Sequence, residues 1–113
     1  MNHSISLKKA IDLTTKYRND KEKAVAPGYE NMLSLSETFD RAAIDFLLSQ
    51  KECVKFRVYF GLDAEEKMHV IMVGGDEGDN DILPDDPNVE SGMIVECGVQ
   101  CPPLCPPASQ LNS

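Results

Sequence analysis

The chain lacks tryptophan, has only two histidines, and carries a single basic residue, Lys67, after position 57. It also lacks an apolar run long enough to cross a membrane or to act as a signal peptide. The lack of such an apolar run predicts a cytoplasmic protein with no membrane partner. With four phenylalanines and three tyrosines as its only aromatic residues, the chain is expected to have a core of Leu, Ile, Val, Met and Phe. A chain of 113 residues has the size of one domain.

The net charge of −8 is unevenly distributed along the chain. Residues 1–57 contain ten Lys/Arg and eight Asp/Glu, whereas residues 58–113 contain one basic residue and eleven acidic ones. An acidic half of this kind repels phosphate backbones, so we expect no nucleic-acid partner. A basic protein partner, a divalent cation or a simple gain in solubility would each fit the acidic half.

Two helices are predicted in the N-terminal half. Ser6 can cap a first helix over residues 7–18. The segment Ser34-Leu35-Ser36-Glu37 has the pattern of a capping box and predicts the start of a second helix. Apolar residues then follow at helical spacing, and we expect this helix to be the centre of the core, with Phe39, Phe46 and Leu47 buried against the inward face of a strand over residues 54–62. The stripe consists of Leu35, Phe39, Ala42, Ala43, Phe46 and Leu47, with Ile44 and Leu48 as a second apolar edge.

Strands are predicted after the helices. Residues 54–62 alternate between apolar and polar side chains, and residues 63–67 form a polar connection suited to a hairpin. Residues 68–73 are apolar on both faces, as in a central strand, and 93–97 predict a third strand, with a possible extended piece at 82–83. We therefore predict an α+β fold in which two N-terminal helices pack on an antiparallel meander of about three strands. Residues 1–97 would form one domain.

Residues 98–113 form a tail rich in cysteine and proline. Cys97, Cys101 and Cys105 recur every four residues, and Cys101 and Cys105 each precede a Pro-Pro pair. The prolines exclude a helix or a central strand, so the tail must be an extended polyproline-like arm or a run of tight turns. We expect it to be docked near the third strand, with Leu104 against the core or a partner. Cys101, Leu104 and Cys105 are the candidate interaction residues.

The cysteines could in principle bind zinc. Cys97, Cys101 and Cys105 would be ligands, with Cys53 or His69 as the fourth. The prolines, however, remove N–H groups that would support bound sulfur, so we expect no metal and no cofactor. A redox pair of Cys101 and Cys105 is weaker, because three residues separate them and no helix can follow. If the protein were exported, its four cysteines could pair in three ways.

The acidic loop at residues 76–81 has the oxygen density of a calcium site. Its candidate ligands are Asp76, Asp79 and Asp81, but Glu77 breaks the alternation of an EF-hand and Gly78 comes too early. A solvated acidic turn is the better interpretation. The sequence contains no recognisable catalytic arrangement either, because His69 reads as a surface or edge histidine without partners. We therefore expect a protein that is not an enzyme.

The chain resembles a group of short bacterial proteins of unknown function that end in a Cys-Pro-Pro tail. The resemblance covers most of the chain and implies a single compact domain with a docked tail, but no activity. It is carried by Ile5-Ser6-Leu7 with Thr15, Tyr17 and Arg18, the strand segment 58–63, Val73-Gly74 leading to residues 81–83, and the tail itself.

Three functional hypotheses follow. The first is a non-enzymatic interaction or assembly module that binds a protein partner or its own copies through the acidic face and the tail. A proline-rich arm loses little entropy on binding, which favours this hypothesis. The second is a small metal-binding or redox protein that uses Cys97, Cys101 and Cys105. The third is an acidic inhibitor, such as an immunity protein, that blocks a basic enzyme.

Overall fold

The computed structural model describes residues 3–112 and has the predicted α+β fold. No helix within these residues is long and apolar enough to cross a membrane. The helices are α1 (Leu7–Asp20), a short 3-10 helix (Lys21–Ala24) and α2 (Arg41–Leu48); the strands are β1 (Ser36–Thr38), β2 (Lys55–Leu62), β3 (Met68–Gly75), β4 (Asp81–Ile82), β5 (Ile94–Val95) and β6 (Val99–Cys101).

These elements belong to two compact units. The first unit joins the N-terminal segment, up to Ser36, to the C-terminal segment from Gln100 onward. The second unit is Glu37–Val99 and contains α2 with the larger sheet. β1 and β6 form a separate two-stranded sheet.

In the first unit, α1 confirms the predicted N-terminal helix. The Ser6 hydroxyl accepts a hydrogen bond of 3.0 Å from the Lys9 N–H, as an N-cap serine should. Close to the end of the helix, the Tyr17 hydroxyl donates to the Ser34 carbonyl oxygen at 2.5 Å. The segment that follows the helix is thereby held back against it.

The C-terminal tail also belongs to the first unit, where it forms a run of turns. The Leu35 N–H donates to the Cys101 carbonyl at 2.6 Å, and the Arg18 guanidinium donates to the Leu111 carbonyl at 2.8 Å. Within the tail, the deeply buried side chain is that of Cys101, at 1% exposure. Leu104 lies in the turn and is 67% exposed. This exposure contradicts burial of Leu104 in the protein's own core, one of the two contacts expected for it, while contact with a partner stays a prediction.

In the second unit, the larger sheet is built around β3. β2 pairs antiparallel with β3, with Val58 opposite Met72 and Phe60 opposite Val70. β4 and β5 both pair antiparallel with β3, opposite different parts of that strand. The β2-β3-β4 meander confirms the predicted topology. The third predicted strand is present as β5, but it contains only two residues.

The core of the second unit lies between α2 and the sheet. It contains Leu47 from α2, Met72 from β3 and Val95 from β5. Partly buried apolar side chains surround this cluster: Phe39, Ala43, Ile44 and Val70. The buried face of α2 therefore runs through Ala43, Ile44 and Leu47.

Two predictions about the second helix are wrong. The segment predicted as its capping box contains β1, and the helix begins only at Arg41, after Asp40 as N-cap. Pairing with β6 holds Ser36–Thr38 extended, so a tertiary interaction overrides the local capping signal. Phe46 is not buried but 51% exposed, because the helix turns its Leu47 side to the sheet.

Two adjacent leucines of α2 give a matched test of this core. Leu47 is 1% exposed and Leu48 is 41% exposed. Leu47→Ala should lower the free energy of unfolding by about 2–5 kcal/mol, because it leaves a cavity in the core. Leu48→Ala should cost well under half of that, since surface changes usually stay within about 0.5 kcal/mol. Chemical denaturation of both variants measures the difference, and equal losses would contradict the observed orientation of α2.

Candidate functional site

A cluster of titratable side chains surrounds His69 in the second unit. The His69 Nε2 atom lies 2.7 Å from Asp63 Oδ2, and its Nδ1 atom lies 3.0 Å from Glu96 Oε1. These three residues and Cys97 line a cleft of about 520 Å³. His69 thus has two acidic partners, which the sequence did not reveal. The hairpin returns His69 to Asp63, but the approach of Glu96 depends on the β3–β5 pairing.

The pKa values in this cluster move in opposite directions. The hydrogen bond to Asp63 is the largest influence on the pKa of His69 and raises it. Burial opposes this increase, and the charges of Glu96, Asp63 and Glu37 each add a smaller one. The pKa values of the two acids are lowered, that of Asp63 chiefly by the Lys67 N–H and that of Glu96 chiefly by the Cys97 thiol, with His69 contributing to both. The cluster therefore favours an imidazolium between two carboxylates.

Cys97 is an unfavourable nucleophile despite its place in the cleft. Its thiol donates to Glu96 Oε2 at 2.7 Å, and this hydrogen bond, with the glutamate charge, raises the pKa of the thiol. The thiolate is the reactive form of cysteine, so the contact suppresses reactivity near neutral pH. The backbone of Cys97 has a φ of 65°, a left-handed conformation that residues other than glycine seldom adopt.

The His69 cluster predicts a pH-dependent stability. The pKa of His69 is raised in the folded state, so protonated His69 stabilises the fold. This stabilisation is complete below the unfolded-state pKa of about 6.5 and is lost as the pH rises through the folded-state pKa. The stability difference between the wild type and His69→Gln should therefore shrink between about pH 5.5 and about pH 8.5. Chemical denaturation at both pH values tests this.

The Asp63→Asn variant serves as the control for this measurement. It removes the hydrogen-bond partner that contributes most to the raised pKa of His69. In that background, the His69→Gln substitution should show a smaller dependence on pH. A difference that grows with pH, or one that Asp63→Asn leaves unchanged, would contradict the ion pair.

Two carboxylates of the acidic loop are paired with cations on the polar face of β2. Arg57 lies 2.5 Å from Asp79 Oδ1 through one terminal nitrogen and 2.5 Å from Asp81 Oδ1 through the other. Lys55 Nζ lies 3.2 Å from Asp79, and the Tyr59 hydroxyl hydrogen-bonds to Asp81. Two of the three candidate calcium ligands are therefore engaged by cationic side chains.

The third candidate ligand, Asp76, holds the turn together. Its Oδ1 atom accepts a hydrogen bond of 2.8 Å from the Asn80 N–H, and its carbonyl accepts one of 3.0 Å from the Asp79 N–H. Side chains of His, Cys, Asp and Glu do not converge in groups of three or more as a metal site anywhere in residues 3–112. The loop acts as a structural turn that is clamped to β2.

The tail cysteines form a disulfide between Cys101 and Cys105, whose Cα atoms lie 4.5 Å apart. Within the same turn, the Leu104 N–H donates to the Gln100 carbonyl at 3.1 Å. Cys53 and Cys97 remain as free thiols. Sulfur atoms bonded to each other are not thiolate ligands, so the structure does not assemble the cysteine set considered for zinc.

The disulfide predicts a definite count of reactive thiols. Protein unfolded without reductant should expose two thiols per chain, Cys53 and Cys97, to a thiol reagent. After reduction the count should rise to four, the number of cysteines in the sequence. Colourimetric titration and intact mass measure both states, and four thiols before reduction would contradict the disulfide.

An exposed apolar surface lies on one face of β2. Four large side chains at alternating positions are between 38% and 69% exposed. We call them the β2 apolar row: Phe56, Val58, Phe60 and Leu62. The sequence predicted their common face correctly, but the expectation that this face packs against the Phe39, Phe46 and Leu47 stripe is wrong. α2 packs on β3 and β5 instead.

Comparisons with known proteins add no further constraint on the site. The chain matches no family model, no curated protein and no solved structure. The function proposed below therefore rests on the geometry of the described residues alone.

Proposed function

We propose that this chain is a non-enzymatic protein-interaction module whose binding surface is β2. The observation that carries the proposal is the exposure of the β2 apolar row on a regular strand. Isolated exposed apolar residues are normal, but a contiguous row of them marks an interaction surface. Phe60 alone is 69% exposed, and aromatic side chains are the residues that most often anchor protein interfaces.

The position of β2 at the edge of its sheet supports the same function. Within the described residues, β2 pairs with β3 alone. An unpaired edge presents N–H and C=O groups that an extended segment of a partner can bind as an added strand. In this mode the backbone supplies hydrogen bonds, while alternate side chains supply specificity. The β2 edge and the β2 apolar row together offer both contributions.

In the proposed module, acidic residues of the C-terminal half support β2. Asp79 and Asp81 are paired with Lys55 and Arg57, which places the acidic loop against the polar face of β2. Those carboxylates reinforce the strand and are less available to attract a basic partner. In the tail, Leu104 remains exposed and is the second surface on which an interaction could depend.

The two alternative functions draw less support from the geometry. A metal-binding role for the cysteine set is disfavoured by the Cys101–Cys105 bond, and thiol chemistry at Cys97 is disfavoured by its raised pKa. An acidic inhibitor would use unpaired carboxylates, but Asp79 and Asp81 of the acidic loop are paired with Arg57 and, for Asp79, also with Lys55. Neither alternative accounts for the exposed apolar row.

Two single substitutions separate the candidate surfaces. Phe60 and Leu104 have almost equal exposure, 69% and 67%, so replacing either with lysine should not disturb folding. In affinity capture from the native host, Phe60→Lys should lose the proteins that the wild type recovers, because it places a charge in the apolar row. Leu104→Lys should retain them.

Quantitative mass spectrometry of the captured proteins, including untagged copies of the chain itself, provides the measurement. The melting temperatures of both variants confirm that each remains folded. Loss of partners with Leu104→Lys but not with Phe60→Lys would move the interaction surface to the tail. Unchanged recovery with both variants would contradict the proposed function.

A further inference from the structure

We propose that the partner of β2 is β2 of a second copy, paired antiparallel about a two-fold axis at Val58. This inference rests on the proposed function and names its partner. The pairing would join the sheets of the two copies edge to edge. A two-fold axis makes such an interface self-complementary, since every contact occurs twice.

The backbone of β2 points the required groups outward. Asp63 N–H bonds to the Lys67 carbonyl at 3.0 Å, which identifies this opposed pair as hydrogen-bonded. Because hydrogen-bonded positions alternate along an antiparallel ladder, the odd-numbered residues of β2 face β3. The N–H and C=O groups of Phe56, Val58 and Phe60 therefore face away from it.

An independent bond supports this alternation. Val70, opposite Phe60, donates its N–H to Glu37 Oε2 at 2.9 Å, on the side of β3 that β2 does not occupy. Pairing about Val58 thus joins only outward-facing residues of the two copies. It sets Phe56 opposite Phe60 of the second copy and Val58 opposite its own counterpart. These would be the hydrogen-bonded pairs of the new ladder.

The side chains fit each other in this register. On the apolar face, Phe56 meets Phe60 twice, and aromatic pairs are among the favourable cross-strand contacts. On the polar face, Arg57 lies opposite Tyr59, where a guanidinium can contact an aromatic ring. No like charges oppose each other at any position from Lys55 to Gly61. Two copies therefore match in both chemistry and spacing.

The composition of β2 favours pairing over protection of its edge. Natural edge strands are commonly blunted by prolines, bulges or charges. β2 contains no proline, and its pairing with β3 runs without a bulge through all eight residues. Its two charged residues, Lys55 and Arg57, are paired with carboxylates of the acidic loop, and residues 58–62 carry no charge. A second copy would cover this strand and satisfy its outward backbone groups.

Sedimentation velocity over a concentration series tests the self-association. Wild-type protein should reach the mass of a dimer. Phe60→Lys should weaken dimerisation by at least about tenfold, because the two-fold axis places the substituted residue in the interface twice. The matched control is Val89→Lys, an exposed apolar position of the same unit that lies outside the sheet. A monomer at every concentration, or a dimer that Phe60→Lys leaves intact, would overturn the inference.

Cysteine cross-linking tests the register. Opposed Cα atoms in hydrogen-bonded antiparallel pairs lie about 5.5 Å apart, within the range of a disulfide. Oxidised Val58→Cys should therefore form a covalent dimer with its own counterpart. Phe60→Cys should not, because it faces Phe56 of the other copy. Wild-type protein oxidised in parallel serves as the control, because it shows any cross-linking through the native thiols of Cys53 and Cys97. Linking of both variants, or of neither, would refute the axis at Val58.

The outcomes separate this inference from the proposed function. A monomeric chain that recovers a different protein through Phe60 would refute self-pairing and leave the interaction function intact. A monomeric chain whose captured proteins do not depend on Phe60 would refute both.

Discussion

The antiparallel register between β2 and β3 determines the rest of the second unit. It sets Val58 opposite Met72 and Phe60 opposite Val70, so the β2 apolar row and the core belong to the same face of the sheet. α2 contains eight residues and is therefore only about 12 Å long. A helix of that length covers β3 and β5 and leaves β2 outside. The exposed surface is thus a continuation of the core that no element of this unit covers.

Two groups of charged residues in the second unit are engaged in ion pairs. Arg57 neutralises Asp79 and Asp81, and His69 lies between Asp63 and Glu96. Such pairs contribute little to stability where they are exposed, but they set the orientation of the hairpin and the loop. Glu96 of the His69 cluster also accepts a hydrogen bond from the Cys97 thiol and raises its pKa. What this unit leaves exposed on β2 is apolar surface and a strand edge that pairs with no other strand of the described residues.

The tail shows how covalent and backbone constraints replace side-chain burial. Its only large apolar residue between the two cysteines, Leu104, is exposed, while Cys101 is buried and bonded to Cys105. The tail is held by carbonyl groups that accept from Leu35 and Arg18. These bonds use the backbone, which the side-chain pattern does not describe, and the anchor could not be read from the sequence.

Local rules were sufficient for the elements whose signal is local. The Ser6 cap determined the start of α1, and period-two alternation determined β2 and the common face of its apolar row. Tertiary structure alone decided the rest. Pairing with β6 overrode the capping box at Ser34–Glu37, and the β3–β5 pairing brought Glu96 to His69. Alternation identifies two faces of a strand but does not specify which face is covered, because coverage depends on the length and placement of elements distant in the chain.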